Sequence, residues 1–167
     1  MDVRIRTAMA DDLDAIRDIY NHYVAHSTCT YQIEPETLEE RRQWFAKRSD
    51  KHPAVVAESN GEIVGWGSLS VWNPRCGYTT TVEFSVYVRP DQHRRGIGRR
   101  IVLDLIERAK AAGHHAIIGG TSADQTASIA LQESLGFKQV SHFPQIGRKF
   151  GRWLDVVHMV LLLDDAE

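Results

Sequence analysis

The run His93-Arg94-Arg95-Gly96-Ile97-Gly98 sets two glycines two positions apart, behind a strand-like stretch and ahead of a helix-like one. Glycines so placed let a backbone approach a phosphate closely, while the helix that follows offers unpaired N–H donors and the positive end of its dipole. Arg89, Arg94, Arg95, Arg99 and Arg100 add five cations to a chain of net charge −2, with Asp91 as the nearby acid. The implied chemistry is the cradling of a ligand that carries several phosphates. Two other phosphate motifs fail on spacing. A P-loop needs Gly-Lys-Ser/Thr where Gly98 is followed by Arg99 and Arg100, and a dinucleotide fingerprint needs a third glycine where Ile101 stands. Taken alone, the Gly-x-Gly pair fits a sharp strand-to-helix connection with solvated arginines equally well.

Other chemistry-bearing residues read as structural. Cys29 and Cys76 have neither a His-Asp context nor the paired spacing of a zinc site, so packing or loop roles are expected. His114 and His115, adjacent on a strand, point to opposite faces and cannot share one ion; no metal is expected. The basic and aromatic run Arg148-Lys149-Phe150-Gly151-Arg152-Trp153 reads as a hairpin with a solvated basic face rather than as a nucleic-acid patch.

The elements that must position the turn follow from patterning. With 167 residues, 43% of them apolar, one domain over 1–167 can bury a core without staples. Val3, Ile5 and Thr7 alternate as a first strand. Asp11 stands at a helix N-cap ahead of Leu13, Ile16, Tyr20 and Tyr23. After a loop around 28–35, Thr37 and Glu40 form a capping box for a second helix, expected to end near Lys51-His52-Pro53. Asn60-Gly61 predicts a tight hairpin between strands at 54–58 and 63–69. A loop over 72–78 leads to a strand over 82–88, and the helix after the turn runs to Gly113. Ala116-Ile117-Ile118 reads as a buried strand, residues 127–135 as a short helix stopped by Gly136, and 137–142 and 153–163 as closing strands. This order predicts an α/β or α+β domain, a mixed sheet with helices on both faces. No apolar run approaches the roughly 18 residues of a membrane span, no signal segment opens the chain, and two cysteines suit a reducing compartment; a cytoplasmic protein without membrane partner is expected.

The run from His93 to Gly98 resembles the Gln/Arg-x-x-Gly-x-Gly/Ala turn of the GNAT superfamily of N-acetyltransferases, with His93 departing at its first position. Four further stretches extend the resemblance over nearly the whole chain, toward the phosphinothricin and methionine sulfoximine acetyltransferase group. They are Ile19-Tyr20-Asn21, the strand Thr81 to Val88, Ala127-Ser128-Ile129 with Leu135-Gly136-Phe137, and Gly147 to Asp155. The resemblance implies a single-domain GNAT fold, acetyl-CoA as cosubstrate and a small amino acid-like amine as acceptor. A peptide or protein amine, or an acyl-CoA-binding module without catalysis, stands as the alternative. It implies that the turn His93, Arg94, Arg95, Gly96, Ile97 and Gly98, with Arg99, holds the pyrophosphate. Backbone groups of Val86, Tyr87 and Val88 would pair with the pantetheine arm, and Gln125 and Ser128 would flank it. Glu83 is the implied general base. Simple alternation puts Glu83, Ser85 and Tyr87 on one face of their strand and Val82, Phe84, Val86 and Val88 on the other. Asn73, Pro74, Arg75, Tyr78, Phe84 and Ser85 fall in the implied substrate region, where Arg75 could clamp a carboxylate. Gln132 occupies a position where relatives carry tyrosine or histidine as general acid, so no acid is assigned. A homodimer is implied as well.

Overall fold

The computed structural model describes residues 2–163. Met1 and 164–167, the ends of the expected domain, lie outside the described residues. Seven strands form one mixed sheet in the order β1-β2-β3-β4-β5-β7-β6: β1 (Arg4–Thr7), β2 (Ala54–Ser59), β3 (Glu62–Val71), β4 (Thr81–Val88), β5 (Ala116–Ser122), β6 (Lys138–Lys149) and β7 (Arg152–Leu162). Among the described residues, only the pair β4–β5 runs parallel. Helices α1 (Leu13–His26) and α2 (Leu38–Ala46) cover one face, and α3 (Ile97–Ala111) and α4 (Thr126–Ser134) the other. The expected mixed sheet between helices is thus the observed fold.

Alternation on the strands builds the two cores. Val55 and Ala57 join Ile101, Val102 and Leu105 under α3, while Ala54 and Val56 pack with Ile16, Ile19 and Trp66 under α1. Helix α3 lies close on β3 because Gly67 carries no side chain: a Cβ there would stand 2.5 Å from Ile101 Cγ2 and 2.9 Å from the Ser85 carbonyl. That approach fixes where the N-terminus of α3, and the turn before it, meets the sheet. The β2–β3 hairpin turns at Asn60 and Gly61, both at positive φ as Asn-Gly requires.

Four boundaries differ from the sequence expectation. The residue before α1 is Asp12, not Asp11, because a 3-10 turn over Ala10–Asp12 intervenes. Helix α2 ends at Ala46 instead of near Pro53, since Arg48 folds back, donating from Nε to the Trp44 carbonyl and from Nη1 to the Leu69 carbonyl and Ser70 Oγ. Strand β5 continues through Gly119 and Gly120 to Ser122, held by unbroken pairing with β7. Strand β6 resumes pairing beyond an irregularity between Phe143 and Gly147 and reaches Lys149.

Asp12 is the acid-sensitive joint of this frame. It accepts two hydrogen bonds from Arg6, at 2.8 and 2.9 Å, and one from the Met9 amide at 2.7 Å. Burial alone would raise its carboxyl, but these donors overcome that and hold it below the ordinary carboxylate range. A depressed folded value means the stabilisation is present above about pH 4 and lost as pH falls through the folded value. Asp12→Asn is expected to cost about 1–3 kcal/mol at neutral pH, where buried donors lose a charged acceptor. The same variant should flatten the acid side of the stability curve, as urea denaturation at several pH values will measure.

Candidate active site

Strand β4 leaves its parallel neighbour part-way. Thr81, Val82 and Glu83 pair with Ala116, Ile117 and Ile118, and beyond them the two strands separate while β4 keeps its register with β3 to Val88. The gap opens a cleft through the sheet with Glu83 at its fork. On one side lies a cavity of about 230 Å³ lined by Glu83, Phe84, Ser85, Val86, Tyr87 and Gly119, together with Gln125, Ser128 and Gln132 of the α4 region. On the other lies one of about 280 Å³ lined by Thr28, Cys29, Tyr31, Glu83, Gly120, Thr121, Ser122, Val156 and His158. Cys29, Glu83, Gly120 and Thr121 border both.

The predicted parity of β4 holds, without a bulge. Val82 and Phe84 lie in the core under α3 with Val86 and Val88 against it, whereas Tyr87 packs on Trp66 beneath α1. Glu83 therefore faces the cleft. Glu83 is exposed to the cleft, and partial desolvation there raises its carboxyl above the ordinary range while charge on His158 pulls it part of the way back. Tyr87 is driven up strongly by burial, which leaves it a neutral wall.

The glycine turn sits ahead of α3, where Gly96 adopts φ 74° and Arg94 φ 61°. Only Gly96 needs its missing Cβ for conformation; a Cβ at Gly98 would touch Val88 and Leu131 at ordinary distances. Of the five arginines read from the sequence, Arg89 and Arg100 have partners distant in the chain. Arg89 is tied to Asp91 and to Glu62 of the β2–β3 hairpin, and Arg100 donates to the Val3 carbonyl. Arg94, Arg95 and Arg99 remain exposed beside the turn. Arg99 also donates to Ser134 Oγ at 2.9 Å and Arg95 to Gln92 Oε1 at 3.2 Å. His93 has a local explanation. Its ring stacks on Tyr23, with Nε2 2.6 Å from the Tyr23 hydroxyl, and that hydroxyl donates to the Val88 carbonyl. The imidazole thereby ties the turn to the end of β4 and to α1.

The other predicted residues divide. Phe84, Ser85, Val86, Tyr87, Gln125 and Ser128 line the first cavity. Gln125 donates to Thr28 Oγ1 at 2.8 Å, closing the cleft toward the α1–α2 loop. Asn73, Pro74, Arg75 and Tyr78 border neither cavity. Their loop is exposed, Asn73 Oδ1 accepting from the Arg75 amide and Tyr78 packing edge-on to Trp72. Sequence reasoning missed Thr28, Cys29, Tyr31 and His158, which come from a loop and from β7. Cys29, expected in a packing or loop role, also borders both cavities, and burial pushes its thiol up. The run 148–153 has a similar second aspect: Lys149 Nζ donates to the carbonyls of Ser27 and Thr30 at 2.7 and 2.8 Å, pinning the loop that carries Thr28 and Cys29.

A forked parallel pair, a glycine turn at a helix N-terminus and a carboxylate facing the cleft at the fork suit transfer of an acyl group from a phosphate-bearing thioester. The profile of the acetyltransferase (GNAT) family matches residues 15–137. The chain belongs to the GNAT family of acetyltransferases. It is 42% identical over 166 residues to an L-methionine sulfoximine/L-methionine sulfone acetyltransferase of Pseudomonas paraeruginosa, covering 98% of this chain and 96% of that one. It is 39% identical over 162 residues to an L-amino acid N-acyltransferase of Escherichia coli, covering 96% and 94%. Among solved structures, a GNAT superfamily phosphinothricin acetyltransferase from Sinorhizobium meliloti in complex with acetyl-CoA superposes with a TM-score of 0.94 at 32% identity, covering 98% of this chain and 89% of the other. The GNAT chain described here is an N-acetyltransferase.

Proposed function

We infer that this enzyme moves the acetyl group of acetyl-CoA onto the primary amine of a small amino acid-like compound. The observation that carries the reading is the fork at Glu83, which sets one partly desolvated carboxylate, open to the cleft, between two cavities. The residues present fit acetyl-CoA. Beyond Glu83 no β5 partner covers β4, so Val86 and Tyr87 can meet the pantetheine arm. The space over Gly119 is too tight for a side chain, a Cβ lying 2.5 Å from Phe84 and 2.7 Å from Gln132 Oε1. Gln132 Oε1 is buried without a hydrogen-bond partner among the described residues and borders this cavity, ready to accept from an incoming donor. The pyrophosphate would lie on the turn from His93 to Gly98, with Arg94, Arg95 and Arg99 around it.

Glu83 would take a proton from the substrate ammonium, directly or through water, and the resulting amine would attack the thioester carbonyl. The second cavity is of amino acid size, and the names of the two relatives, one for a methionine derivative and one for L-amino acids, support that class. Arg75 would supply the carboxylate contact from its exposed loop, with Asn73, Pro74 and Tyr78 shaping the entrance. Thiol release with acetyl-CoA and a panel of amino acids, methionine sulfoximine and phosphinothricin tests the whole proposal. Turnover of free amino acids with an Arg75→Ala rise in KM is expected; acetyl-CoA binding without turnover of any amine would leave only an acyl-CoA-binding module.

The exposed apolar side chains Val140, Ile146, Phe150, Trp153 and Leu162 lie along β6, β7 and the turn between them, an area suited to a second copy of the chain. Sedimentation at assay concentration is expected to give twice the mass of one chain. Two unpaired cysteines fit a reducing compartment, and the enzyme would work in the cytoplasm.

A further inference from the structure

The second cavity holds a titratable group that the assignment of Glu83 leaves unused. His158 lies on β7 directly opposite Gly120 of β5, and β5 runs between β7 and the β4 strand that carries Glu83. Where β5 would otherwise interpose a side chain it has Gly120. A Cβ built there would lie 3.7 Å from His158 Nε2 and 3.9 Å from Glu83 Oε1. Carboxylate and imidazole therefore face each other across the space left by a missing methyl.

The imidazole is held for this. Ser141 Oγ lies 2.9 Å from His158 Nδ1 and accepts the His158 amide at 3.2 Å, while Phe143 packs edge-on to the ring. A serine hydroxyl can donate to Nδ1 of the neutral ring or accept from Nδ1–H of the charged one, so either state is accommodated while Nε2 stays toward the cavity. The other titratable groups lining this cavity are engaged or pushed out of range. Tyr31 donates to Ser122 Oγ and the Asp155 carbonyl, and burial raises the Cys29 thiol. Outside the lining, Asp155 pairs with His142, Asp124 accepts from Thr28, and Lys149 is bound to carbonyls.

We propose that His158 is the exit for the proton that Glu83 removes from the acceptor amine, the two acting as a relay across Gly120. This rests on the acetyltransferase reading above. The balance is as follows. The ammonium gives one proton to the Glu83 carboxylate, and the freed amine lone pair forms the C–N bond. As the C–S bond breaks, its electron pair leaves on sulfur, and a second nitrogen proton ends on that thiolate. The proton on Glu83 passes through a water in the space over Gly120 to His158 Nε2 and then to solvent, which restores both groups. One ammonium and one thioester thus yield one amide, one thiol and one released proton.

The experiment is a pH profile of kcat/KM by thiol release, with the best amino acid acceptor, for the wild type, Glu83→Gln, His158→Gln, His158→Ala and Gly120→Ala. Loss of the imidazole is expected to lower kcat/KM about 100-fold, at the low end for a positioned acid–base group, and to remove one limb of the profile. Acetyl-CoA affinity, measured by calorimetry, should stay unchanged. Added imidazole should restore His158→Ala in proportion to its free-base form, which a purely structural histidine would not allow. Gly120→Ala, whose methyl makes ordinary contacts but occupies the gap, should lower the rate about 10-fold with both titrating groups intact. Wild-type pH dependence in both His158 variants, beside a disabled Glu83→Gln, overturns the relay alone. An inactive wild type overturns the acetyltransferase reading and the relay with it.

Discussion

Glu83→Gln is expected to lower kcat/KM at neutral pH by roughly 10²- to 10⁴-fold, the range for losing a positioned general base. The substitution keeps size and shape, so the lost element is proton acceptance at the fork between the cavities. Two further results separate this from a packing defect. At high pH part of the substrate arrives as free amine, and the gap between variant and wild type should narrow. At low pH the sign follows from the raised carboxyl: a base must be ionised, so wild-type activity falls as pH drops through a value above the ordinary carboxylate range. That limb should be absent from the variant. Unchanged activity at both neutral and high pH would remove Glu83 from the base role.

Much of this fork was legible before any coordinates. Alternation along 82–88 gave the face of Glu83, whereas no residue type marks where β4 and β5 part. The Asn60-Gly61 hairpin and the Thr37–Glu40 capping box were local, and local chemistry is what sequence carries best. The acceptor cavity was illegible for the opposite reason. Its walls come from β5 and from a loop at 28–31 and β7, the last two more than 120 positions apart, and their meeting depends on long-range contacts such as Tyr31 with the Asp155 carbonyl. Gly119 and Gly120 hid the second half of β5, because glycine lowers strand propensity while making the cleft possible. The partners of two arginines were hidden in the same way. Arg89 and Arg100 look like phosphate ligands by position, but Glu62 and the Val3 carbonyl, distant in sequence, engage them.

Arg41→Ala is expected to be the most damaging change for stability, at about 3–5 kcal/mol, because it strands a partly buried carboxylate. Arg41 is 2% exposed. Its Nε and Nη2 both lie 2.6 Å from Glu36 Oε2, and its guanidinium is 4.5 to 5.0 Å from the ring centroids of Trp44, Trp66 and Tyr20. Burial raises the Glu36 carboxyl and lowers the Arg41 guanidinium, so each partner is held charged against a desolvation cost and neither tolerates loss of the other. A double change, Glu36→Leu with Arg41→Met, should therefore cost less than Arg41→Ala alone when both are measured by urea denaturation. The acid behaviour should be opposite to that of Asp12. A carboxyl raised in the folded state binds its proton before the unfolded chain does, so its contribution falls as pH rises through the raised value and does not drive acid unfolding. Activity is coupled to this joint through the loop it anchors. The Asn21 side chain brackets the Glu36 backbone, and the Tyr20 hydroxyl, under the Arg41 cage, binds Thr30 and Gln32. Arg41→Ala should thus raise KM for the amine, by loosening Thr28, Cys29 and Tyr31, at temperatures where the variant is still folded. An unchanged KM in a fully folded Arg41→Ala would confine the pair to stability.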